Sequence, residues 1–384
     1  ATYYDSTGTL QTASNNIPRF DYDPITHQPK GILMEESRRN YMRNGNAIGS
    51  VSGTPGTLPT YWQIGGAGFP GLTREIIGAG TESGVPYVEI RFSGPPTITG
   101  TSLLYTEVPN VIGSSLGQTW SATSYLKLSG GSLTNCSVQF GLWERDSSSV
   151  ALTGHYSTLP VTSTLQRYIS TNTTTHSSVS YVVPMIGISH TTGQAIDITL
   201  RIGGGQMEQA AFPTSYIPTT TATVTRAADT LSMPTSPWFS SAEGTFFGEF
   251  TPAALLDTYP QIGLFGDGTM SNFIAYTLSP ANHLFAEWKQ SSSTLFSLNA
   301  GVAAANTTTK FAGAYKNGSS AISKNGAAPV TSSATISTSL PVTLFSVGSN
   351  IARGGIDGRY TGNMTKLKYY PLRPSNSQLQ LLAQ

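Results

Sequence analysis

The sequence predicts an all-β protein made of antiparallel β-sandwich domains in tandem, with little helix. Glycine and proline account for 40 and 23 of the 384 residues, and both residue types favour turns over regular helix. Short segments rich in Val, Ile, Thr, Phe and Tyr alternate with clusters of Gly, Pro, Asn and Ser, which is the pattern of strands joined by turns. Charged residues make up only 11% of the chain, against about 25% in an ordinary soluble domain.

The same composition excludes several classes of protein. A coiled coil needs charged, glycine-poor heptads, and a formal net charge of +1 argues against nucleic-acid binding through a basic surface. The single cysteine, Cys136, excludes intrachain disulfides and cysteine-based metal sites. No apolar run reaches the roughly 18 residues of a membrane span, and residues 1–10 lack the layout of a secretory signal. We therefore expect no nucleic-acid partner and no membrane insertion.

Length and local composition predict the domain boundaries, at roughly 150 residues per domain. We expect a lead-in or oligomerisation segment in residues 1–50, a first sandwich in 51–220, and a second in 238–384. The linker expected between them, residues 221–237, ends a stretch rich in proline and threonine. Proline removes a ladder donor and favours extended chain, so this stretch marks the junction.

The strand pattern is clearest in the middle and the last third of the chain. In the middle we expect strands at 120–128, 137–143, 166–170, 180–188 and 195–203. In the last third we expect them at 245–251, 261–266, 272–278, 283–288, 294–299, 310–315, 321–324, 342–348 and 364–370. The dipeptides at 317–318 and 325–326 are Asn-Gly hairpin signals. The one credible helix is a C-terminal turn capped by Ser375 or Ser377, with Leu379 and Leu382 three residues apart.

Residues 1–50 concentrate the charge of the chain. They hold five acidic and five basic side chains, 10 of the 41 charged residues in total. Two interpretations stay open for them. One is a solvated strand-turn-strand with local ion pairs, and the other is a clasp between subunits.

Three stretches resemble a family of tail-fibre and other virion structural proteins of tailed bacteriophages. The first comprises residues 18–24 (PRFDYDP) and 31–40 (GILMEESRRN), although Arg39 stands where that family usually has threonine. The second comprises residues 206–208, 211–220 and 225–229, and is similar to the closing strand and exit linker of a carbohydrate-binding-module-like jelly roll. The third comprises residues 358–360, 367–371 and 377–380, and resembles the end of a laminin-G or concanavalin-like sandwich.

The resemblance implies two jelly-roll domains on a virion, in an exposed appendage of the phage particle. It implies a homo-oligomer, with a trimer favoured by analogy with other fibre proteins, and other virion proteins as partners. It supplies no ligand, because the family is defined by its scaffold motifs.

Acidic residues are poorly arranged for hydrolysis. A glycosidase needs two carboxyl groups about 5–10 Å apart, and the second predicted domain contains no two acids at i, i+2 spacing. Glu144 and Asp146 have that spacing, but Arg145 lies between them, so a charged strand end is the favoured interpretation. The five histidines form no H-x-x-x-H pair, and no serine lies in G-x-S-x-G. We therefore expect no enzymatic activity.

Cofactor and metal signals are also weak. Gly203–Gly205 lacks the pattern of a phosphate-binding loop, so a bulge or tight turn is expected there. Calcium has two candidate positions, Asp267 with Asn272, and Asp357 with Gly358. Each lacks the acidic density of a tight site, so turn formation is the favoured interpretation. We expect no cofactor.

Aromatic residues are the best candidates for function, because sugar rings stack on aromatic faces while amides and hydroxyls bond the sugar hydroxyls. The positions singled out for carbohydrate binding are Tyr61, Trp62, Trp143, Trp288, and Tyr315 near Asn317. Trp143 and Trp288 fall within predicted strands, where an aromatic side chain belongs to the core more often than not.

The favoured hypothesis is a non-enzymatic phage virion protein, of tail-fibre or spike type, that contacts host cell-surface polysaccharide. A structural head-fibre, decoration or collar protein without a receptor role is the alternative. A polysaccharide depolymerase that uses Glu144 and Asp146 is a third.

Overall fold

A computed structural model describes residues 1–254, 259–336, 340–348 and 359–384. These residues form 28 strands and one short helix. In the first 230 residues the strands are β1 (Thr2–Tyr4), β2 (Leu10–Thr12), β3 (Phe20–Tyr22), β4 (Pro29–Met34), β5 (Arg38–Asn40), β6 (Gln63–Gly65), β7 (Thr73–Glu82), β8 (Val85–Gly94), β9 (Gly100–Tyr105), β10 (Ile112–Gly113), β11 (Thr119–Ser132), β12 (Cys136–Arg145), β13 (Ala151–Leu159), β14 (Gln166–Thr173), β15 (Tyr181–His190), β16 (Ile196–Glu208) and β17 (Val224–Arg226). The rest are β18 (Leu231–Pro234), β19 (Glu243–Pro252), β20 (Gln261–Gly266), β21 (Phe273–Leu278), β22 (His283–Gln290), β23 (Ser293–Val302), β24 (Thr309–Lys316), β25 (Ser320–Lys324), β26 (Val330–Ser332), β27 (Leu344–Val347), β28 (Gly362–Tyr370) and the helix α1 (Asn376–Leu382).

The chain divides into two compact units, named here the N-terminal and C-terminal sandwich. The N-terminal sandwich comprises Ala1–Thr2, Thr9–Thr12 and Arg38–Arg226, and the C-terminal sandwich comprises Tyr3–Gly8, Ala13–Ser37 and Ala227–Gln384. The prediction of an all-β chain with two antiparallel jelly-roll sandwiches is confirmed. Residues 1–50, expected as one lead-in segment, are shared between the two units.

The N-terminal sandwich packs two antiparallel sheets face to face. One sheet has the strand order β14-β11-β16-β8-β7 and the other β13-β12-β15-β9-β6, with β10 also paired to β15. Alternate residues of each strand point inward, as the two-residue period of a strand requires. They form a core centred on fully buried side chains such as Phe140, Ile186 and Leu200. The chain crosses repeatedly between the sheets, so both sheets are needed to bury this core.

The C-terminal sandwich also has two sheets, with the orders β18-β27-β20-β21-β22-β23 and β26-β25-β24-β19-β28-β4-β3. Its core is rich in aromatic side chains, among them Trp288, Phe265 and Phe311. The predicted hairpin signal at Asn325-Gly326 is a turn in which both residues have positive φ, 48° and 73°, as a type I′ turn requires. In α1, Ser375 and Gln378 form a capping box, which fixes the start of the helix.

Two charged residues near the N-terminus, Arg19 and Glu35, form a network with Asp229 within the C-terminal sandwich. Strand β4 pairs with β28, and β3 pairs with β4, so this segment adds two strands to the sheet. Behind them the Arg19 side chain, only 3% exposed, donates to Glu35 Oε2 at 2.7 Å and also to the Asp229 carboxylate. Backbone N–H groups of Glu35 and Asp229 complete the network, at 2.8 and 2.9 Å. The ion pairs are therefore buried, and they join parts of the chain about 200 residues apart.

Candidate functional site

The outward face of the six-stranded sheet in the N-terminal sandwich differs from an ordinary solvated surface. On β12, Val138, Phe140 and Leu142 enter the core, so Gln139, Gly141 and Trp143 point outward. The neighbouring strand β15 places Val183 beside Trp143 and Met185 beside Gly141. The sheet thus carries a second apolar layer on the side away from the core.

This outward layer is built on buried apolar side chains. Val183 and Met185 are fully buried, and Tyr105 is 3% exposed. Leu103 and Trp143 pack against them and remain partly exposed. Because these side chains belong to neighbouring strands of one sheet, they form a continuous apolar floor.

Glycines allow the aromatic rings to lie close against the sheet. A methyl group at Gly154, the residue opposite Trp143, would come within 2.9 Å of two atoms of the indole ring. At Gly65 it would come within 2.3 Å of the Tyr105 ring. Only glycine leaves room for a ring at these distances. The rings therefore lie against the backbone of the neighbouring strands.

Tyr156 and several polar side chains border the apolar floor. Tyr156 is 43% exposed, and its ring centre lies 6.2 Å from that of Trp143 with 35° between the ring planes. The Thr101 hydroxyl donates to Gln139 Oε1 at 3.3 Å, and Gln63 on the edge strand β6 is exposed. Two neighbouring aromatic rings with amide and hydroxyl groups around them are the chemistry that binds a sugar.

Arg145 lies at one end of this face. Its guanidinium carbon is 4.9 Å from the centre of the Tyr105 ring, within the range of a cation–π contact. Nη2 donates to the Tyr105 hydroxyl at 2.5 Å, and Nη1 donates to the carbonyl oxygen of Ser149 at 2.6 Å. The arginine is therefore held in place by neutral groups.

The outward face of the opposite, five-stranded sheet has a different character. Three of its basic side chains pair with acids, at 2.8 Å for Arg91 with Asp197 and 2.7 Å for Lys127 with Glu82. Arg201 contacts the same Glu82 at 2.7 Å. These charges compensate one another, although Arg167 on the same face donates only to the Thr123 hydroxyl and the Thr214 carbonyl oxygen. The outward face of the six-stranded sheet, called the aromatic face from here on, carries rings, neutral polar groups and Arg145.

Glu144 is a buried structural carboxylate. It is 0% exposed and accepts hydrogen bonds from His155 Nε2 at 2.5 Å and from the backbone N–H groups of Thr175 and His176 at 2.7 and 2.9 Å. The carboxylate of Asp146 caps its own turn by accepting from backbone N–H groups at 2.8 and 2.9 Å. The two acids at i, i+2 spacing therefore do not present a pair of open carboxylates to a substrate.

Glu144 also makes the stability of the N-terminal sandwich depend on pH. Burial alone raises the pKa of this carboxyl, but its hydrogen bonds outweigh burial and hold the pKa below the usual 4.5. A lowered pKa in the folded state means that the ionised group stabilises the fold above pH 4.5 and that this contribution is lost as pH falls through the folded pKa.

We expect Glu144→Gln to lower the free energy of unfolding of the N-terminal sandwich by about 2 kcal/mol at pH 7, because it leaves buried N–H groups without an ionised acceptor. The difference from wild type should be smaller at pH 3 than at pH 7, because the contribution of the ionised carboxylate is progressively lost as pH falls below 4.5 towards the lowered pKa of the folded state. Hydrogen exchange of core amides at both pH values measures this difference in stability between the variant and wild type. A difference that stays constant with pH would contradict this role of the carboxylate.

The structure disperses the aromatic residues singled out from sequence. Trp62 is 7% exposed within the N-terminal core, and Trp288 and Tyr315 are 0% and 1% exposed within the C-terminal core. Their rings offer no open face to a ligand, because they lie at inward positions of the sandwiches. Tyr61 is partly exposed, but the Arg43 guanidinium covers its ring at 3.8 Å.

Asn317, singled out as a polar partner of Tyr315, lies in an exposed turn. Its side-chain oxygen accepts from the backbone N–H of Ile336 at 3.1 Å, so it supports local structure. Trp143 alone of the singled-out aromatics belongs to the outward face. Sequence reasoning missed Tyr105, Tyr156 and Arg145. The signal for Arg145 was present in the sequence of β12. Successive residues of a strand face opposite sides, and Trp143 and Arg145 are each an odd number of positions from Phe140 and Leu142, so the two pairs face opposite sides of the sheet.

The candidate calcium position at Asp267 is a hydrogen-bonded turn. Its carboxylate accepts from the backbone N–H of Thr269 and from the Asn272 side-chain amide, both at 2.8 Å. The other candidate, Asp357 with Gly358, lies outside the described residues, as does Asp257. Within the described part of the chain, no group of three His, Cys, Asp or Glu side chains is arranged to hold a metal ion. In that same part, no helix is long and apolar enough to cross a membrane.

Comparison with known proteins gives remote similarities in structure only. No family model matches the sequence, and no curated protein matches it. A CBM40 module of the Ruminococcus gnavus IT-sialidase aligns with a TM-score of 0.34 at 12% identity, covering 38% of this chain and 84% of the module. The CBM22 tandem of Paenibacillus barcinonensis Xyn10C aligns with a TM-score of 0.26 at 11% identity, covering 85% of this chain and 98% of the tandem. Domains LG4-5 of the mouse laminin α1 chain align with a TM-score of 0.27 at 8% identity, covering 72% of this chain and 87% of the laminin domains. Similarity this remote assigns no ligand to the chain.

Proposed function

We propose that the chain is a non-enzymatic glycan-binding protein and that the outward face of the six-stranded sheet is its binding surface. The observation that carries the proposal is the pair Trp143 and Tyr156, set side by side on an apolar floor. The faces of sugar rings carry C–H groups that stack on such rings, and amide groups such as those of Gln139 and Gln63 bond sugar hydroxyls.

The absence of acids on this face favours binding without turnover. Glycoside cleavage requires a pair of carboxyl groups flanking the scissile bond. The outward residues of β6, β9, β12, β13 and β15 that pair across this sheet include no Asp or Glu. A bound sugar would therefore meet aromatic, amide and hydroxyl groups without the pair of carboxyls that hydrolysis needs.

The biological setting that we propose is an exposed appendage of a tailed-phage virion, of tail-fibre or spike type, that contacts host cell-surface polysaccharide. Its support is the sequence resemblance in residues 18–40, 206–229 and 358–380. An oligomer, with a trimer favoured, and neighbouring virion proteins belong to the same proposal. Immunogold electron microscopy of the particle tests the setting. Label at a free distal tip supports it, and label only within the capsid lattice would favour a decoration protein.

Replacing the two aromatic residues tests the binding surface directly. We expect Trp143→Ala and Tyr156→Ala each to weaken binding about tenfold on an oligosaccharide array, which corresponds to about 1.4 kcal/mol of stacking energy. Tyr259→Ala is the matched control, because Tyr259 is 53% exposed and lies in the other unit. Equal binding by wild type and both aromatic variants, or no glycan bound by the wild type, would refute the proposed function.

A further inference from the structure

Strand pairing shows which residues of the six-stranded sheet point outward on the aromatic face. Among these residues, Arg145 alone is charged. The registers place uncharged residues at every other outward position, from one edge of the sheet to the other. The face therefore presents one positive charge in neutral, partly apolar surroundings.

The Arg145 guanidinium has donors to spare. An arginine has five N–H donors, and two of them serve the Tyr105 hydroxyl and the Ser149 carbonyl oxygen. The Nε–H group is buried and has no hydrogen-bond partner within the described residues. No acidic side chain of the described residues forms an ion pair with it, in contrast to Arg91 and Arg201 on the opposite sheet.

A second donor without a partner lies nearby on the same strand. The indole Nε1–H of Trp143 is buried and has no partner within the described part of the chain. Trp143 and Arg145 are two residues apart on β12 and share its outward side. Buried donors without acceptors cost free energy and call for an explanation. Both donors here belong to residues of the proposed binding surface.

We propose that this surface selects acidic glycans, with the carboxylate of a uronic-acid-type sugar on Arg145 and the neighbouring ring on Trp143. This inference rests on the proposed function. A carboxylate fits the planar guanidinium with charge-assisted, bidentate hydrogen bonds. The attraction is strengthened because the Tyr105 ring, 4.9 Å from the guanidinium carbon, and the apolar floor give the cation a less polar environment than bulk water. Neutral sugars make the stacking contacts but leave the positive charge uncompensated.

The test compares wild type with Arg145→Gln and Arg145→Lys on an array of uronate, sulfated and neutral oligosaccharides. Galacturonate hexasaccharide and its methyl-esterified form are included as an acid and ester pair. Arg74→Gln is the matched control, because Arg74 likewise donates only to neutral groups, the backbone carbonyl oxygens of Pro55 and Gly56. Circular dichroism and thermal melting establish that each variant is folded.

We expect wild type to bind uronates at least about tenfold more tightly than matched neutral sugars, and this preference to weaken with salt. Arg145→Gln should remove the preference by lowering uronate binding at least about tenfold, to the level of the matched neutral sugars, and Arg145→Lys should retain the preference in part. Uronate binding unchanged in Arg145→Gln, or an equal loss in Arg74→Gln, would overturn the inference. Equal preference for sulfated sugars would overturn the carboxylate assignment. Binding that depends on Trp143 but is confined to neutral glycans would leave the proposed function intact and refute this inference alone.

Discussion

We expect Arg19→Met to lower the free energy of unfolding of the C-terminal sandwich by about 3–5 kcal/mol. Arg19 is 3% exposed and contacts both Glu35 and Asp229. Removing its charge leaves the Glu35 carboxylate, which is 3% exposed, buried without its cation and close to a second acid, Asp229, which is strongly destabilising. Hydrogen exchange of amides in β19 and β28 measures the effect on this unit.

Lys366→Ala is the control for Arg19→Met. Lys366 is 57% exposed and lies 3.7 Å from Glu249, and an exposed pair of this kind contributes about 1 kcal/mol or less. If the two variants lose similar amounts of stability, the network around Arg19 is not the structural link that its burial indicates. Removing the buried Glu35 carboxylate as well, in Arg19→Met plus Glu35→Leu, should recover part of the loss.

We expect Trp288→Ala to destabilise the C-terminal sandwich by about 3–5 kcal/mol, because it empties a large volume in the aromatic core. Trp288 is 0% exposed, and its ring lies 5.2 Å from the centre of the Tyr315 ring and 6.3 Å from that of Phe296. Glycan binding should be unchanged at temperatures where the variant stays folded. Urea unfolding and array binding measure the two effects separately.

A stable Trp288→Ala variant with weakened glycan binding would contradict the placement of this tryptophan in the core. Trp288→Phe provides the graded comparison. It keeps an aromatic ring and much of the volume, so its loss of stability should be smaller than that of the alanine variant.

Much of the fold was predictable, because sandwich strands carry strong local signals. All nine strands expected in the last third and all five in the middle third coincide with observed strands. Strand β13 went unrecognised because its sequence, ALTGHYSTL, has few β-branched or aromatic residues and its burial is shallow. Tertiary pairing with β12 forms this strand, and a local pattern does not reveal it.

The network around Arg19 was less predictable than the strands. The concentration of charge in residues 1–50 was visible, but nothing local connects Arg19 with Asp229, which lies 210 residues further along the chain. Both open interpretations of this segment treated its ion pairs as solvated or as contacts between subunits. The pairing of β4 with β28 instead buries them within one unit.

Only the chemistry of the proposed binding surface was predictable from the sequence. Aromatic residues were expected to carry function, but the choice among them depends on which side of a strand is inward. Trp143 and Trp288 both lie in strands, and their alternation with core residues is readable only once the core is known. Trp143 lies on the outward side of its strand, and Gly154 on the neighbouring strand leaves room for its ring. Trp288 points into the core on the same side of its strand as Leu284 and Ala286.

A crystal structure of the full chain with the oligosaccharide that binds most tightly on the array tests the central claim most directly. We expect a sugar ring within stacking distance of Trp143 and Tyr156, with its polar groups on Gln139 or Arg145. Sugar bound to the charged face of the five-stranded sheet, or only to the C-terminal sandwich, would contradict it.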